Sequence, residues 1–354
     1  MVDTIWDLGS ICVGLFLLVL GGEWLVGGAS QLAQKFRVSP LVIGLTIVAF
    51  GTSAPELAVS VLASIQHAPD LAIGNVVGSN IFNVLFILGL SAAIVPLVVA
   101  QEIIRRDVPI MIFASIVLFA MCQDKNLSVI DGLVLFAGIV GYTLRCIYQG
   151  RTSVDSTETT EAQSIHKSYR PLLKVVFGLL LLVGGSKLLI IGCVGIAASL
   201  GISELVIGLT IVAAGTSLPE VATSVIAALR GERDIAVGNV VGSNIFNILC
   251  VLGLTSIVSP VGVPVDQEVL EFDLPFMIAA AIACWPIFLT GKQIARWEGI
   301  VFLFYYLFYL SYVVAVASQH TSQHMLRDSL FFIVPITCLT LLVSLWQEIK
   351  STHR

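Results

Sequence analysis

LVIGLTIVAFGTSAPELAVSVLASIQHAPDLAIGNVVGSNIFNVLFILGL, at Leu41 to Leu90, returns as LVIGLTIVAAGTSLPEVATSVIAALRGERDIAVGNVVGSNIFNILCVLGL at Leu205 to Leu254. Aligned without a gap at an offset of 164, 34 of the 50 positions are identical, so the chain carries an internal duplication. The identities gather where an apolar helix should be least polar. They are GTS-PE, at Gly51 to Glu56 and Gly215 to Glu220, and GNVVGSNIFN, at Gly74 to Asn83 and Gly238 to Asn247. A carboxylate or a cluster of amides inside an apolar span is costly, and it marks a transport path or a substrate site.

The surrounding composition is that of a membrane. The 354 residues are 57% apolar and only 12% charged, against about 25% charged in soluble domains. This excludes a soluble enzyme or nucleic-acid binder and predicts an all-α polytopic membrane protein. The net charge of -5 carries little information, because nearly all charge lies in short loops. The seven cysteines stand singly in or beside apolar spans with no CxxC pair, so neither a disulfide framework nor a zinc site is expected. MVDTIWDLGSICVG has no basic n-region, so the first span is expected to be retained.

With about 20 apolar residues needed per helix, spans are expected near 8–28, 40–65, 72–98, 107–123, 127–148, 171–197, 204–229, 236–260, 271–290, 297–318 and 327–346. A polar stretch, 149–170, divides the first five from the second five and reads as a loop. The duplication reaches further: LVLGGEWLVGGA from Leu18 resembles LLVGGSKLLIIG from Leu181, Pro96 matches Pro260, and Asp107-Val-Pro109 echoes Asp273-Leu-Pro275. The expected architecture is therefore 1–148, one five-helix repeat; 149–170, a cytoplasmic linker; 171–318, a second repeat; and 319–354, an extra helix with a short tail. An odd helix number inverts the second copy, and inverted repeats with interrupted helices describe many secondary transporters. With the N-terminus outside, inner segments carry 15 Lys and Arg and outer loops 2, as the positive-inside rule requires. The C-terminus is then inside.

The two motifs supply oxygen. On a helix Thr52, Ser53 and Glu56 share a face. Pro55 lacks an N–H and crowds the carbonyl of Gly51, so the helix should open and free carbonyls at Ala49 to Gly51. Thr216, Ser217, Pro219 and Glu220 repeat this, with carbonyls at Ala213 to Gly215. Asn75, Ser79 and Asn83 form a stripe, mirrored by Asn239, Ser243 and Asn247. Two carboxylates, hydroxyls, amides and carbonyls without sulfur or imidazole make a hard-cation inventory, and calcium accepts six to eight such oxygens in irregular geometry.

These motifs resemble the paired alpha repeats of the cation/calcium exchanger superfamily, specifically its sodium/calcium exchanger branch of prokaryotic type. The resemblance covers spans one to ten. It implies antiport of calcium against sodium by alternating access, with long first and sixth helices sliding across a more rigid bundle. The ligands it implies are Glu56, Thr52, Ser53, Ser79, Asn83 and the carbonyl of Ala49, mirrored by Glu220, Thr216, Ser217, Ser243, Asn247 and the carbonyl of Ala213. Several members carry Asp where Asn247 stands, so dependence on potassium is not expected. No cofactor is expected; the partners are the transported calcium and sodium ions and the lipid bilayer, not nucleic acid, and the oligomeric state is left open. The compact form suggests a prokaryotic cytoplasmic membrane.

Other readings compete. Proton-coupled antiport of calcium or another cation fits the same inventory. A channel filter is normally a ring built by several subunits, and a hydrolase would need a nucleophile–base set. Ser79, Asn83, Ser243 and Asn247 could serve only as interhelical hydrogen bonds, and Asn75 and Asn239 fit a structural role equally well. Asp70 and Asp234 read as helix caps. Glu23 and Lys187 read as packing or snorkelling residues, and His320 and His324 as part of a solvated loop. Asp266, Glu268, Glu271 and Asp273 read as a solvated or cation-drawing outer loop.

Overall fold

The computed structural model describes residues 2–66, 69–152, 169–202 and 204–318. The expected eleventh span at 327–346, His320, His324 and most of the linker lie outside the described residues. The first copy opens with α1 (Val2–Phe36). A broken span follows: α2 (Pro40–Ile43), α3 (Ala49–Thr52) and α4 (Ala54–Ile65). Then come α5 (Asp70–Ile81), α6 (Gly89–Ile94), β1 (Leu97–Val98), α7 (Val108–Met121), β2 (Asn126–Leu127) and α8 (Val129–Thr152). The second copy repeats the order with α9 (Arg170–Ser199), α10 (Glu204–Ile207), α11 (Ala213–Gly215), α12 (Leu218–Leu229), α13 (Arg233–Phe246) and α14 (Gly253–Val258). It closes with β3 (Val263–Pro264), α15 (Leu274–Leu289), β4 (Gln293–Ile294) and α16 (Arg296–Ala317).

The short strands were not expected, and they shorten the third span to Ile94 and the eighth to Val258. They also fix the relation between the copies. β1 pairs with β4, and β2 with β3, both antiparallel. The loop after the third span of one copy therefore shares a face with the loop after the fourth span of the other. Copies crossing the membrane in the same direction would put those loops on opposite faces. The repeats are inverted.

Each copy is braced by an aspartate at the entry to its fourth span, buried at Asp107 and half-buried at Asp273. The Tyr142 hydroxyl donates to Asp107 at 3.1 Å, and the Tyr309 hydroxyl donates to Asp273 at 2.9 Å. The polar motifs occupy the centre. The most apolar stretch of Arg233–Val258 is wholly buried and that of Leu71–Ile94 is 72% buried, whereas only 17% of α16's is. Each motif helix also passes through a π-helical stretch, at Phe82–Leu88 and Asn247–Leu252, with further pairs at Gly44–Val48 and Gly208–Val212. Such expansions of the helical ladder recur at functional sites.

α1 and α9 form a long pair. At 1.5 Å per residue α1 reaches about 50 Å, well beyond a hydrocarbon core of about 30 Å. Glycine lets the two backbones meet. A Cβ on Gly14 would lie 2.8 Å from the Gly185 carbonyl oxygen, and one on Gly178 would lie 2.9 Å from that of Gly21. These reciprocal contacts hold the two helices in the same 164 offset as the motifs, correcting the alignment of Leu18 with Leu181 by one residue.

Two polar contacts tie α1 to the turn that joins α12 and α13. Glu23 forms an ion pair with Arg230, and Ser30 donates to Glu232 at 2.8 Å. Glu23 is therefore a paired residue rather than a packing one, while Lys187 is exposed. Nor is Asp234 a cap: Glu232 takes the cap position of α13, without a side-chain bond, and Asp234 lies in the first turn. α5 likewise starts from Pro69 with Asp70 as its first residue. Negative charge there still favours the helix N-terminus.

Gly185→Ala forces a methyl against backbone, and overpacking of this kind costs about 1–3 kcal/mol. The expected outcome is a lower unfolding temperature in detergent. Gly141→Ala, where a Cβ meets open space, should leave it unchanged.

Candidate cation site

Both GTS-PE segments break their helices at the serine. Ser53 sits at φ -80, ψ 4 between α3 and α4, which bend by 42°, and Ser217 sits at φ -90, ψ 8 before α12. The cause is the proline two residues on, which has no N–H to close the ladder. Ser53, Glu56, Ser217 and Glu220 are all fully buried.

The inverted arrangement brings the breaks together reciprocally. Ser217 Oγ donates to Glu56 Oε1 at 3.0 Å, and Ser53 Oγ donates to Glu220 Oε1 at 3.2 Å. Each carboxylate is held by the serine of the opposite repeat, so the two acids share one pocket. Ser217 also lies 3.2 Å from Ser79 Oγ. Among the described residues no basic side chain bonds either acid. No cluster of three His, Cys, Asp or Glu occurs there either, so any ion would be held by mixed oxygens.

The remaining oxygens form a set. Glu56 Oε2, Glu220 Oε2, Asn83 Oδ1, Asn247 Oδ1, Thr216 Oγ1 and Ser243 Oγ are buried and accept or donate no hydrogen bond. Ser64, Ser91, Asn126, Thr255 and Ser256 also carry a buried oxygen without a partner, but these six all belong to the two duplicated motifs. Six unsatisfied oxygens, two of them carboxylate, match what a calcium ion binds. They come from both copies.

Two expected ligands have other duties. Thr52 Oγ1 lies 3.1 Å from the Val48 carbonyl and 3.1 Å from Asn239 Oδ1, so its hydroxyl is engaged. Ala49's carbonyl is not freed: it accepts the Ser53 N–H at 3.0 Å, because the missing proline N–H orphans Gly51 and not Ala49. The Thr52 hydroxyl lies 3.4 Å from it as well. In the second copy the orphaned carbonyl of Gly215 accepts the Ser186 hydroxyl at 2.6 Å. Ala213 stands in α11, directly before that break.

Asn75 and Asn239 are braces. Asn75 Nδ2 donates to Ser60 Oγ at 3.1 Å and Asn239 Nδ2 to Ser224 Oγ at 2.9 Å, while each also reaches the carbonyl of its copy's glutamate. Sequence reading passed over Asn80 and Asn244. Both are buried, and they bond Asn247 and Asn83 across the repeat interface. The signal was present: the two asparagines of GSNIFN, common to both copies, sit three apart, one helical turn.

The model of the family described as "Sodium/calcium exchanger protein" matches residues 6–148 and 171–315. The chain belongs to the sodium/calcium exchanger family. CaxA of Alkalimonas amylolytica is 41% identical over 307 residues, covering 84% of this chain and 96% of that protein. Sodium/calcium exchanger MaX1 of Methanosarcina acetivorans is 36% identical over 338 residues, 85% of this chain and 96% of that one. Among solved structures, that of the sodium-calcium exchanger NCX_Mj superposes with a TM-score of 0.75 at 34% identity, covering 89% of this chain and 99% of the other. Membership makes the chain a membrane transporter.

Two adjacent buried carboxylates without a basic partner destabilise the fold unless a cation joins them. In detergent with chelator and no sodium, Glu56→Gln/Glu220→Gln should therefore unfold at a higher temperature than the parent. Calcium at 100 times its dissociation constant should stabilise the parent by about 2.7 kcal/mol and the variant not at all. Differential scanning fluorimetry reads both.

Proposed function

We propose that the protein is a secondary antiporter that exchanges calcium for sodium across the membrane by alternating access. The observation that carries this is the reciprocal pair of acids, Glu56 and Glu220, ringed by unsatisfied oxygens from two inverted repeats. Two carboxylates neutralise one divalent ion, so a calcium-loaded site is neutral in a low-dielectric interior where net charge is opposed. Sodium ions occupying subsets of the same oxygens would compete for the same charge. That competition couples the two fluxes: while the oxygens are shared, the two cargoes cannot both be fully bound.

The relatives support the cargo. MaX1 is named a sodium/calcium exchanger, and the NCX_Mj structures are titled as those of a sodium-calcium exchanger. Each copy supplies one carboxylate, one ligand amide and one engaged serine, so the site is built almost equally toward both faces. The α1–α9 pair, joined by glycine contacts, is the element that moves in this reading, with Glu23–Arg230 among the contacts it would remake. The distribution of basic residues supports an N-terminus outside, and the compact form supports a prokaryotic cytoplasmic membrane.

Radioactive calcium uptake into proteoliposomes, with sodium, potassium and proton gradients imposed separately, tests the proposal. An outward sodium gradient should drive uptake, potassium should not be required, and a pH gradient alone should not suffice. Glu56→Gln or Glu220→Gln should reduce uptake to that of empty vesicles. Uptake driven by the pH gradient without sodium would replace sodium with protons as the coupling ion. Calcium passing with no counter-ion on the far side would make the protein a channel.

A further inference from the structure

Asn83 and Asn247 each carry an amide oxygen with no partner, and an amide can turn end for end. What holds those oxygens inward is visible one helical turn away. Asn247 Nδ2 donates to Asn80 Oδ1 at 3.1 Å, and Asn83 Nδ2 donates to Asn244 Oδ1 at 3.0 Å. All four amides are buried, at 2% exposure or less. The contacts run between repeats, so each ligand amide is oriented by the copy it does not belong to.

Amide orientation follows from the network of bonds rather than from the shape of the group, and here the network is closed at one end. Asn80 Nδ2 donates to the backbone carbonyl of Asn244 at 3.3 Å. Turning Asn80 over would set its oxygen against that carbonyl oxygen, two acceptors face to face. Asn80 is thereby fixed, and with it Asn247. The other end is softer, since Asn244 Nδ2 has the Met111 sulfur at 3.5 Å as its acceptor, and a thioether accepts weakly.

We infer that Asn80 and Asn244 are positioning residues that turn the amide oxygens of Asn247 and Asn83 into the cation site, and that Asn80 also selects amide over carboxylate at position 247. An aspartate at 247 would present a second acceptor to Asn80 Oδ1 where the asparagine presents a donor. The charge of the site is thus held at its two glutamates by a partner outside the ion's reach. This inference rests on the calcium reading above.

A double-mutant cycle on the KM for calcium in sodium-driven uptake tests it. Partners that orient metal ligands typically contribute 10–100-fold in affinity, so Asn80→Leu should raise KM about tenfold while leaving the maximal rate nearly unchanged. Coupled residues depart from additivity and independent ones do not. The Asn80→Leu effect should therefore vanish in an Asn247→Ala background and persist in Asn83→Ala; Asn244→Leu should behave the opposite way and more weakly. Should Asn80→Leu not yield folded protein, Asn80→Ser enters the same cycle. Losses that multiply in both backgrounds would overturn the assignment. A parent that takes up no calcium under a sodium gradient would instead remove the exchange reading, which separates the two failures.

Discussion

The structure depends on one reciprocal contact, in which the serine of each broken helix donates to the glutamate of the other. A buried carboxylate deprived of water costs several kcal/mol even after relaxation, and a proline break exposes backbone that a bilayer cannot solvate. Neither copy could bear these costs alone. Joined by inversion, each supplies the donor the other lacks, Ser217 to Glu56 and Ser53 to Glu220. Everything else keeps this junction dry and in register. α5–α6 and α13–α14 bury it, Asn75 and Asn239 hold the carbonyls of the two glutamates, and the β1–β4 and β2–β3 ladders lock the loops at the two faces. The donors do not fully satisfy the acids, and the residual oxygens are the binding chemistry.

Much of this was legible because inversion and break are both written in residue types. Proline two positions after a serine dictates an opened turn, and an odd number of apolar spans dictates opposite crossing. The serine and glutamate of each motif lie across from those of the other. What was not legible depends on distance between copies. Nothing in the sequence says that Asn80 faces Asn247, since Asn80 reads as one more polar residue in an amide-rich helix. Glu23 looked isolated because Arg230 lies over 200 positions away, at the end of a different helix. The π-helical stretches escaped detection because an extra backbone residue per turn leaves hydropathy untouched. The register of α1 on α9 was misread by one residue for a related reason: the glycines that decide it recur every seven positions among other glycines, and only backbone contact distinguishes them.

The two copies are close to equivalent but not identical, and the differences fall on the interface between the long helix pair and the broken spans. Ser186 of α9 bonds the orphaned carbonyl of Gly215, whereas Gly22 stands at the matching place on α1 and offers no hydroxyl to Gly51. Thr52 is engaged by Asn239 while Thr216 makes no hydrogen bond. Glu23 pairs with Arg230, and its counterpart at the same offset is Lys187, of opposite sign and exposed. Under the proposed exchange, identical copies would give inward-facing and outward-facing states of equal energy, because inversion maps one onto the other. A hydrogen bond and an ion pair present on one side only remove that degeneracy. The hydrogen bond is worth about 0.5–1.5 kcal/mol net and the partly exposed ion pair about 0–1 kcal/mol, enough to bias two states several-fold without trapping either. The duplication thus fixes the shape of the site, and the unmatched residues set which face it prefers.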